Sequence, residues 1–222
     1  MKHHVVSDAV GCPFVNTRTR PLRADAVRNR EIIITAAIEA FREVGPEASL
    51  EEIARRAKVG IGTLYRRFPT RAELVEAVHI DQMCEVADLF EEALAIARTS
   101  DSPIDQLAKA MMDLFEIQAE DPAFSDVLAR IMSGSQLLQH ERERAINAAK
   151  KLVQLCKEKH SIDSQLEVVD LHLGVIAIDA IIRRTKQEAP DAWRRAATGV
   201  LNTFGKKRFQ APKAPNDWPF FN

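Results

Sequence analysis

Apolar side chains recur every three or four positions along most of this 222-residue chain, and this period constrains the fold more than any other feature. The spacing matches the 3.6 residues of a helical turn, whereas no clear run shows the alternation of a half-buried strand. Ala, Leu, Ile, Glu and Arg are abundant and only 6% of residues are aromatic, which also favours helix over sheet. The sequence therefore predicts an all-α fold.

Composition excludes several classes of protein. The longest apolar stretch, residues 173–178, has six residues, whereas a membrane-spanning helix needs about 20. Cys12, Cys84 and Cys156 lie far apart and form no CxxC pair, so neither a disulfide framework nor a zinc site is predicted. The N-terminus lacks the apolar segment of a signal peptide. We expect a cytoplasmic protein with no membrane partner, no metal and no cofactor.

Capping residues divide the periodic pattern into separate helices. Gly45 followed by proline ends the first helix, and Ser49 with a glutamate three positions later begins the second. Gly60 relieves the tight turn before the third helix, and Thr70 with a glutamate three positions later begins a long fourth. The predicted helices cover residues 23–44, 49–57, 61–68, 70–98, 103–120, 121–134, 136–159, 164–186 and 190–204.

Charge is distributed unevenly between the two ends of the chain. Residues 18–71 hold twelve Lys and Arg against seven Asp and Glu, a net charge of +5, whereas residues 72–222 have a net charge of −6. A basic segment on an acidic remainder suggests a polyanionic partner for the first part alone. The alternative is a chance fluctuation in composition.

Two short helices joined by a short turn within this basic segment are typical of a helix-turn-helix. Leu64 and Phe68 are four positions apart and face the core, so the other side chains of the second helix face solvent or a ligand. The candidate DNA-binding residues are Ser49, Gly60, Ile61, Gly62, Thr63, Tyr65, Arg66, Arg67 and Arg71. The alternative is a structural helical corner with solvated arginines.

These candidates have different expected roles. Arg66 and Arg67 supply charge and possible bidentate contacts to bases, while Thr63 and Tyr65 offer hydroxyl groups to phosphate or base edges. Gly62 permits close backbone approach. Ser49 and Arg71 lie at helix N-termini and are candidates for phosphate contacts. Ile61 either packs inward or touches a thymine methyl group.

Residues 25–75 resemble the N-terminal domain of bacterial regulators of the tetracycline-repressor (TetR) type, most closely in the segment VGIGTLYRRFPTRAEL. The resemblance implies that Thr63, Tyr65, Arg66 and the basic residue Arg71 contact DNA. Many members have Ser in place of Gly60, and Lys is commoner in place of Arg71. The family pattern also implies a larger C-terminal helical domain that binds a ligand and forms a dimer.

The predicted domains follow from the helix pattern and this resemblance. They are a flexible basic arm (1–22), a three-helix helix-turn-helix DNA-binding domain (23–70), a larger helical effector-binding and dimerisation domain (71–205) and a tail (206–222). The arm either enters a minor groove or is a disordered, charge-solubilised tail. The helix over 164–186 is apolar on most sides, which predicts burial in the centre or against a partner chain.

Weaker signals in the C-terminal part suggest a pocket for a small molecule. The candidate effector-binding residues are Phe90, Met111, Phe115, His172, Ile176 and Asp179. His172 and Asp179 interrupt an apolar run and would be polar anchors, but Asp179 could equally pair with Arg183 one helical turn later. Met and Phe at helical spacing could equally form ordinary core.

The leading hypothesis is a homodimeric transcriptional regulator, a repressor that a small-molecule effector releases from a palindromic operator in double-stranded DNA. One alternative is a helical ligand-binding protein that has lost DNA binding. A less favoured alternative is a helical enzyme, since the sequence contains no Ser/His/Asp order, phosphate-binding glycine loop or metal-ligand cluster.

Overall fold

The computed structural model describes residues 21–45, 47–121, 124 and 135–205, and the elements in these ranges are all helical. They are α1 (Pro21–Val44), α2 (Leu50–Arg56), α3 (Ile61–Arg67), α4 (Arg71–Ala97), α5 (Pro103–Glu120), α6 (Gln136–Glu158), α7 (Val168–Thr185) and α8 (Ala192–Leu201). The all-α prediction is confirmed. The tail over 206–222, nearly all of the arm over 1–22 and most of the predicted helix over 121–134 lie outside the described residues.

The predicted caps begin the helices as expected. The Ser49 hydroxyl accepts a hydrogen bond from the backbone N–H of Glu52 at 3.1 Å, and Thr70 accepts one from Glu73 at 3.2 Å. Gly45 takes a φ of +96°, the left-handed conformation that ends α1. Local hydrogen-bonding groups therefore fix the starts of α2 and α4.

Helix α7 begins four residues later than predicted. The Asp163 carboxylate accepts the backbone N–H of Gln165 at 2.8 Å, which closes a turn where the periodic pattern predicted helix. Glu167 and Asp170 then form a reciprocal capping box that begins α7. Competing hydrogen bonds from short polar side chains moved this boundary.

The turn between α2 and α3 differs from the prediction in one respect. Gly60 has an ordinary extended conformation, with φ −68° and ψ 143°. The left-handed residue is Lys58, at φ 53°. A side chain with a Cβ is strained in this region, so the tight backbone of the turn lies two residues before the glycine.

Replacement of Lys58 by glycine should therefore stabilise the protein by about 0.5–1 kcal/mol, because relief of the left-handed strain outweighs the greater entropy of the unfolded glycine. Lys58→Ala is the matched control, since it removes the same charge and keeps the strain. Urea unfolding measures both variants. A glycine variant no more stable than the alanine variant would show that this turn is unstrained.

The buried apolar residues form two clusters. The first joins α1, α2, α3 and the first two turns of α4, and includes Ile33, Phe41, Ile53, Leu64 and Phe68. The second begins at Ile80 and joins the rest of α4 to the helices that follow. Helix α4 thus contributes to both clusters as one continuous 27-residue element.

Packing in the second cluster centres on α4, which lies against α6 and α5, while α7 packs on α8. The Arg144 guanidinium of α6 donates to Glu91 at 2.6 Å and to Asp88 at 2.8 Å, both on α4. These carboxylates raise the pKa of Arg144 above its ordinary value, against the opposing effect of burial. A Cβ at Gly174 would lie 3.1 Å from Cγ1 of Val200, so glycine permits the close approach of α7 and α8.

Helix α7 has two apolar faces. Leu171, Val175, Ile178 and Ile182 are buried in the protomer. Three large apolar side chains form a second stripe that is exposed, namely Val169 at 59%, Leu173 at 56% and Ile176 at 48%. We call these three residues the α7 stripe. Exposed apolar side chains grouped on one face typically mark a surface for a partner.

None of the helices in the described ranges is long and apolar enough to cross a membrane.

Candidate nucleic-acid interface and effector pocket

Helix α3 presents two different sides. Leu64 is 0% exposed and the C-cap residue Phe68 is 3% exposed, and both belong to the core of α1 and α2. Tyr65 is 46% exposed and Ile61 39% exposed on the remaining surface. Ile61 therefore does not pack into the core, and its contact with a thymine methyl group stays a prediction.

The exposed side of α3 is open to close approach. Gly60, Gly62 and Arg66 are exposed, and Thr63 is half-buried. No heavy atom lies within 4 Å of the position that a Cβ would take at either glycine. The backbone at the start of α3 can therefore approach another molecule without obstruction. We call Ile61, Gly62, Thr63, Tyr65 and Arg66 the α3 surface.

Arg67 lies in a different environment from Arg66. It is half-buried and lines a groove with Arg30, Phe68 and the first turns of α4. Its Nε is buried and has no hydrogen-bond partner among the described residues. The sequence predicts that Arg67 faces solvent or a ligand, whereas the groove encloses part of its guanidinium.

Arg71 has a contact within the protein that the sequence did not indicate. Its Nη1 donates to the backbone carbonyl of Ala48 at 2.8 Å, and its guanidinium lies 5.9 Å from the ring centroid of Phe41. Arg71 thereby fixes the segment before α2, next to Ser49. Its proposed phosphate contact remains a prediction, to which the structure adds a positioning role.

The acidic residues of this domain neutralise two other arginines. Glu52 accepts hydrogen bonds from Arg55 and Arg56, both at 2.7 Å at their shortest, and Arg56 also donates to Glu43 at 2.6 Å. These bonds lower the pKa of Glu52 to about 2, so the carboxylate stays ionised at neutral and mildly acidic pH. The charge that α2 could offer a polyanion is thus largely compensated, and Arg66 is the exposed cation of the α3 surface.

A cavity of about 290 Å³ lies between α4, α5, α6 and α7. Its lining comprises Met83, Val86, Phe90, Met111, Leu114, Arg142, Ala145, Ile146, Ala149, Val168, Val169, Leu171, His172 and Val175. Twelve of these fourteen side chains are apolar. Such a cavity suits a small, mainly apolar ligand.

The candidate effector residues divide into two groups. Phe90, Met111 and His172 line the cavity. The other three candidates are not part of its lining. Phe115 is 0% exposed in the core, and Ile176 belongs to the exposed α7 stripe. The Asp179 carboxylate accepts hydrogen bonds from Arg183 Nε at 2.9 and 3.0 Å, which is the helical pair that the spacing allowed.

Sequence reasoning missed Arg142, which lines the cavity and is only 7% exposed. It lies on α6 at the same helical face as the buried Leu138, Ala145 and Ala149. This helical spacing could have predicted that Arg142 is buried, but a run of alternating Glu and Arg ordinarily indicates a solvated face. Burial lowers the pKa of Arg142 below its ordinary value, partly opposed by the negative charge of Glu76.

One polar contact joins the two clusters of the chain. The Asp121 carboxylate, which is 1% exposed at the end of α5, accepts hydrogen bonds from Gln82 of α4 at 2.9 Å and from Arg42 of α1 at 3.4 Å. Met111 and Leu114, about three and two turns earlier on α5, line the cavity. We call Arg42, Gln82 and Asp121 the α1–α5 link.

Among the described residues, no group of three or more His, Cys, Asp and Glu side chains could hold a metal ion.

The chain combines a three-helix unit, in which α3 is exposed, with a larger helical body that contains a cavity. This combination defines a helix-turn-helix transcriptional regulator. Residues 33–78 match the profile of the bacterial regulatory proteins of the tetR family. The regulator TtgW of Pseudomonas putida is 32% identical over 110 residues, which cover 49% of this chain and 78% of that protein. The chain belongs to the tetR family and is a DNA-binding transcriptional regulator.

Other relatives extend this comparison. The HTH-type transcriptional regulator SAR0097 of Staphylococcus aureus is 38% identical over 80 residues, 33% of this chain and 41% of that protein. A TetR regulator from Mycobacterium vanbaalenii has a TM-score of 0.58 at 25% identity, covering 84% of this chain and all of that one. SCO0520 from Streptomyces coelicolor has a TM-score of 0.56 at 28% identity, covering 78% and 94% of the two chains.

Proposed function

We propose that this regulator is a homodimeric repressor that binds a palindromic operator through the α3 surface of each protomer and is released by a small, mainly apolar effector. The observation that carries the DNA-binding role is the exposure of Tyr65 and Arg66 beside two unobstructed glycines. Side chains so placed on a short helix can reach base edges in a major groove. We assign no catalytic step to the protein.

In this proposal residues 23–70 bind DNA, and residues 71–205 bind the effector and form the dimer. This boundary lies where α4 begins. The first two turns of α4 still pack in the first apolar cluster, and its remainder packs in the second. A rigid helix shared in this way transmits a tilt in one domain to the other.

The test of DNA binding is selection of bound fragments from a genomic library, followed by gel shifts at increasing salt. We expect a site with two similar half-sites and an affinity that falls steeply with salt, because Lys and Arg displace counterions from phosphates. Binding of equal strength to unrelated sequences at physiological salt would contradict the proposal. The genes next to the selected site would guide the choice of effectors.

The test of effector release is a thermal-shift screen with small molecules, followed by measurement of operator affinity in the presence of each binder. The DNA-bound and released conformations of such a dimer would differ in the spacing of their two α3 helices. A ligand relieves repression only when it binds these two conformations with different affinity. A coupling of about 1–3 kcal/mol lowers operator affinity about 5- to 150-fold. A ligand that stabilises the protein without altering operator affinity would argue against release by that ligand.

Replacement of Asp121 by asparagine tests the α1–α5 link. The substitution keeps the shape of the side chain and its acceptor for Gln82, but removes the charge that pairs with Arg42. We expect effector binding and effector-free operator affinity to change little, while the effector-induced loss of operator affinity shrinks about 2- to 30-fold.

The matched control is Asp113→Asn on the same helix, which breaks an exposed pair with Lys109 at 2.6 Å. This pair lies far from α1 in sequence and contributes little at a solvated surface. Titration of the operator with and without effector measures the effector-induced loss of operator affinity. An equal loss in wild type and Asp121→Asn would show that the α1–α5 link takes no part in signalling.

A further inference from the structure

Two polar side chains interrupt the otherwise apolar wall of the cavity. Arg142 reaches it from α6 and His172 from α7. Every other side chain of the lining is an aliphatic, methionine or phenylalanine side chain. A ligand that fills this space therefore meets one arginine and one imidazole in a lining that is otherwise hydrocarbon.

The Arg142 guanidinium is removed from water to an unusual extent for an arginine, with 7% of the residue exposed. Its Nη1 donates to Oε1 of Gln139 at 3.3 Å. Glu76 is the acidic side chain whose charge acts on it. The Glu76 carboxylate also accepts the backbone N–H of Ser135 at 2.8 Å and interacts with His79, so its negative charge is shared among three partners.

A guanidinium has five N–H donors in a planar fork, a geometry that matches a carboxylate. Hydrogen bonds between ionised partners are about twice as strong as those between neutral ones, and more so where water is excluded. Placement of such a group on an apolar wall favours ligands that carry a negative charge at one end.

His172 provides a second, independent observation. Its ring is half-buried, and its Nε2 is shielded from solvent with no hydrogen-bond partner among the described residues. Buried polar atoms in native proteins are normally paired, so an unpaired nitrogen on a side chain that lines the cavity points to a ligand with a polar group. An imidazole nitrogen can pair with either oxygen of a carboxyl group.

We propose that the effector is an amphipathic acid whose carboxylate, or a similarly acidic head group, is bound by Arg142 and His172 while a short apolar body fills the rest of the cavity. This inference rests on the proposed function, since it names the chemical class of the ligand that releases the operator. The volume of about 290 Å³ lies at the lower end of the range for ligand pockets, which selects a small body rather than an extended one.

The experiment compares acids with neutral alcohols of the same shape. Isothermal titration of the full chain at pH 7 uses two probe pairs, octanoate with 1-octanol and 4-phenylbutyrate with 4-phenyl-1-butanol. We expect the acid of at least one pair to bind about 10- to 100-fold more tightly than its alcohol, as a charge-assisted hydrogen bond provides.

Four variants locate this preference. Arg142→Met should remove the advantage of the acid and leave the affinity for the alcohol unchanged, whereas Arg142→Lys should retain part of it. His172→Phe should weaken acid binding severalfold. Lys150→Met is the matched control, since it removes an exposed cation two turns further along α6 and should behave as wild type. If Arg142→Met fails to fold, Arg142→Lys and His172→Phe provide the same comparison.

Three results would overturn the inference: alcohols that bind as tightly as their acids, acid affinity unchanged in Arg142→Met or His172→Phe, or no binding of either acid up to about 5 mM, where even a weak ligand is detected. Operator affinity is measured separately with each probe. Acids that bind through Arg142 without releasing DNA would refute release by the effector and leave the acid site standing. Alcohols that release DNA as effectively as their acids would refute the acid site and leave release by an effector standing.

Discussion

Replacement of Leu173 by aspartate is expected to convert the proposed dimer into a folded monomer and to lower operator affinity about 100-fold or more. Leu173 is 56% exposed at the centre of the α7 stripe, so the charge is solvated in the monomer and leaves the protomer core intact. In a symmetric dimer the stripe would meet its own copy, and each interface would bury two like charges, at a cost of several kcal/mol. A monomer offers one α3 surface and loses half of its operator contacts.

Light scattering and gel shifts at micromolar concentration measure the two effects. Ile96→Asp is the matched control, because Ile96 is an apolar side chain of similar exposure, 46%, on a different helix, α4. It should remain dimeric and bind DNA as wild type does. A Leu173→Asp protein that stays dimeric, or a wild type that is already monomeric, would place the interface elsewhere or remove it.

The buried face of the same helix gives a different expected result. Ile178 is 0% exposed and Ile182 is 3% exposed, so both pack within the protomer. A charge at either position should unfold the chain rather than separate two folded protomers, since an unpaired buried charge is strongly unfavourable. Charged substitutions at these two residues therefore cannot report on assembly.

The second large effect is expected at Arg66. Its removal in Arg66→Ala should cost about 1–3 kcal/mol per half-site if the guanidinium reads a base, and should relax sequence preference at one position in each half-site. A contact to phosphate would instead weaken all sequences alike and flatten the salt dependence by about one unit per lost contact. Gel shifts on the selected operator and on single-base variants of it distinguish these roles.

Tyr65→Phe and Lys109→Ala complete this comparison. Tyr65→Phe removes one hydroxyl and should have a smaller effect, about 0.5–1.5 kcal/mol. Lys109 is an exposed cation on α5 that pairs with Asp113, so its removal controls for net charge alone. If Arg66→Ala and Tyr65→Phe both bind the operator as tightly as wild type at physiological salt, the α3 surface is not the DNA-binding surface.

Local patterns were sufficient to predict most of the helices and the orientation of α3. The four-residue spacing of Leu64 and Phe68 directs both inward, and Tyr65, adjacent to Leu64, is consequently exposed, because a helix turns by about 100° per residue. The caps at Ser49 and Thr70 likewise depend on groups three positions apart. Such features involve neighbours along one helix, so they can be predicted from the sequence without the tertiary structure.

The sequence was less informative where a side chain can be covered by more than one neighbour. Helix α7 is apolar on most sides, and periodicity alone does not tell that Ile178 is covered by the protomer while Ile176 remains exposed. Phe115 and Met111 have equivalent positions in the apolar pattern of α5, yet only Met111 lines the cavity. The difference depends on which helices pack on each face.

The class of fold, the helix starts at Ser49 and Thr70 and the two sides of α3 follow from local sequence, because each depends on groups within about one turn of each other. In contrast, the position of Arg142 at the cavity, the contact of Asp121 with α1 and the bond from Arg71 to the carbonyl of Ala48 depend on helix packing. Asp121 meets Arg42 across 79 positions of sequence, and Arg71 meets Ala48 across 23. Contacts of this kind are fixed by the packing of separate helices, whose arrangement no local period encodes.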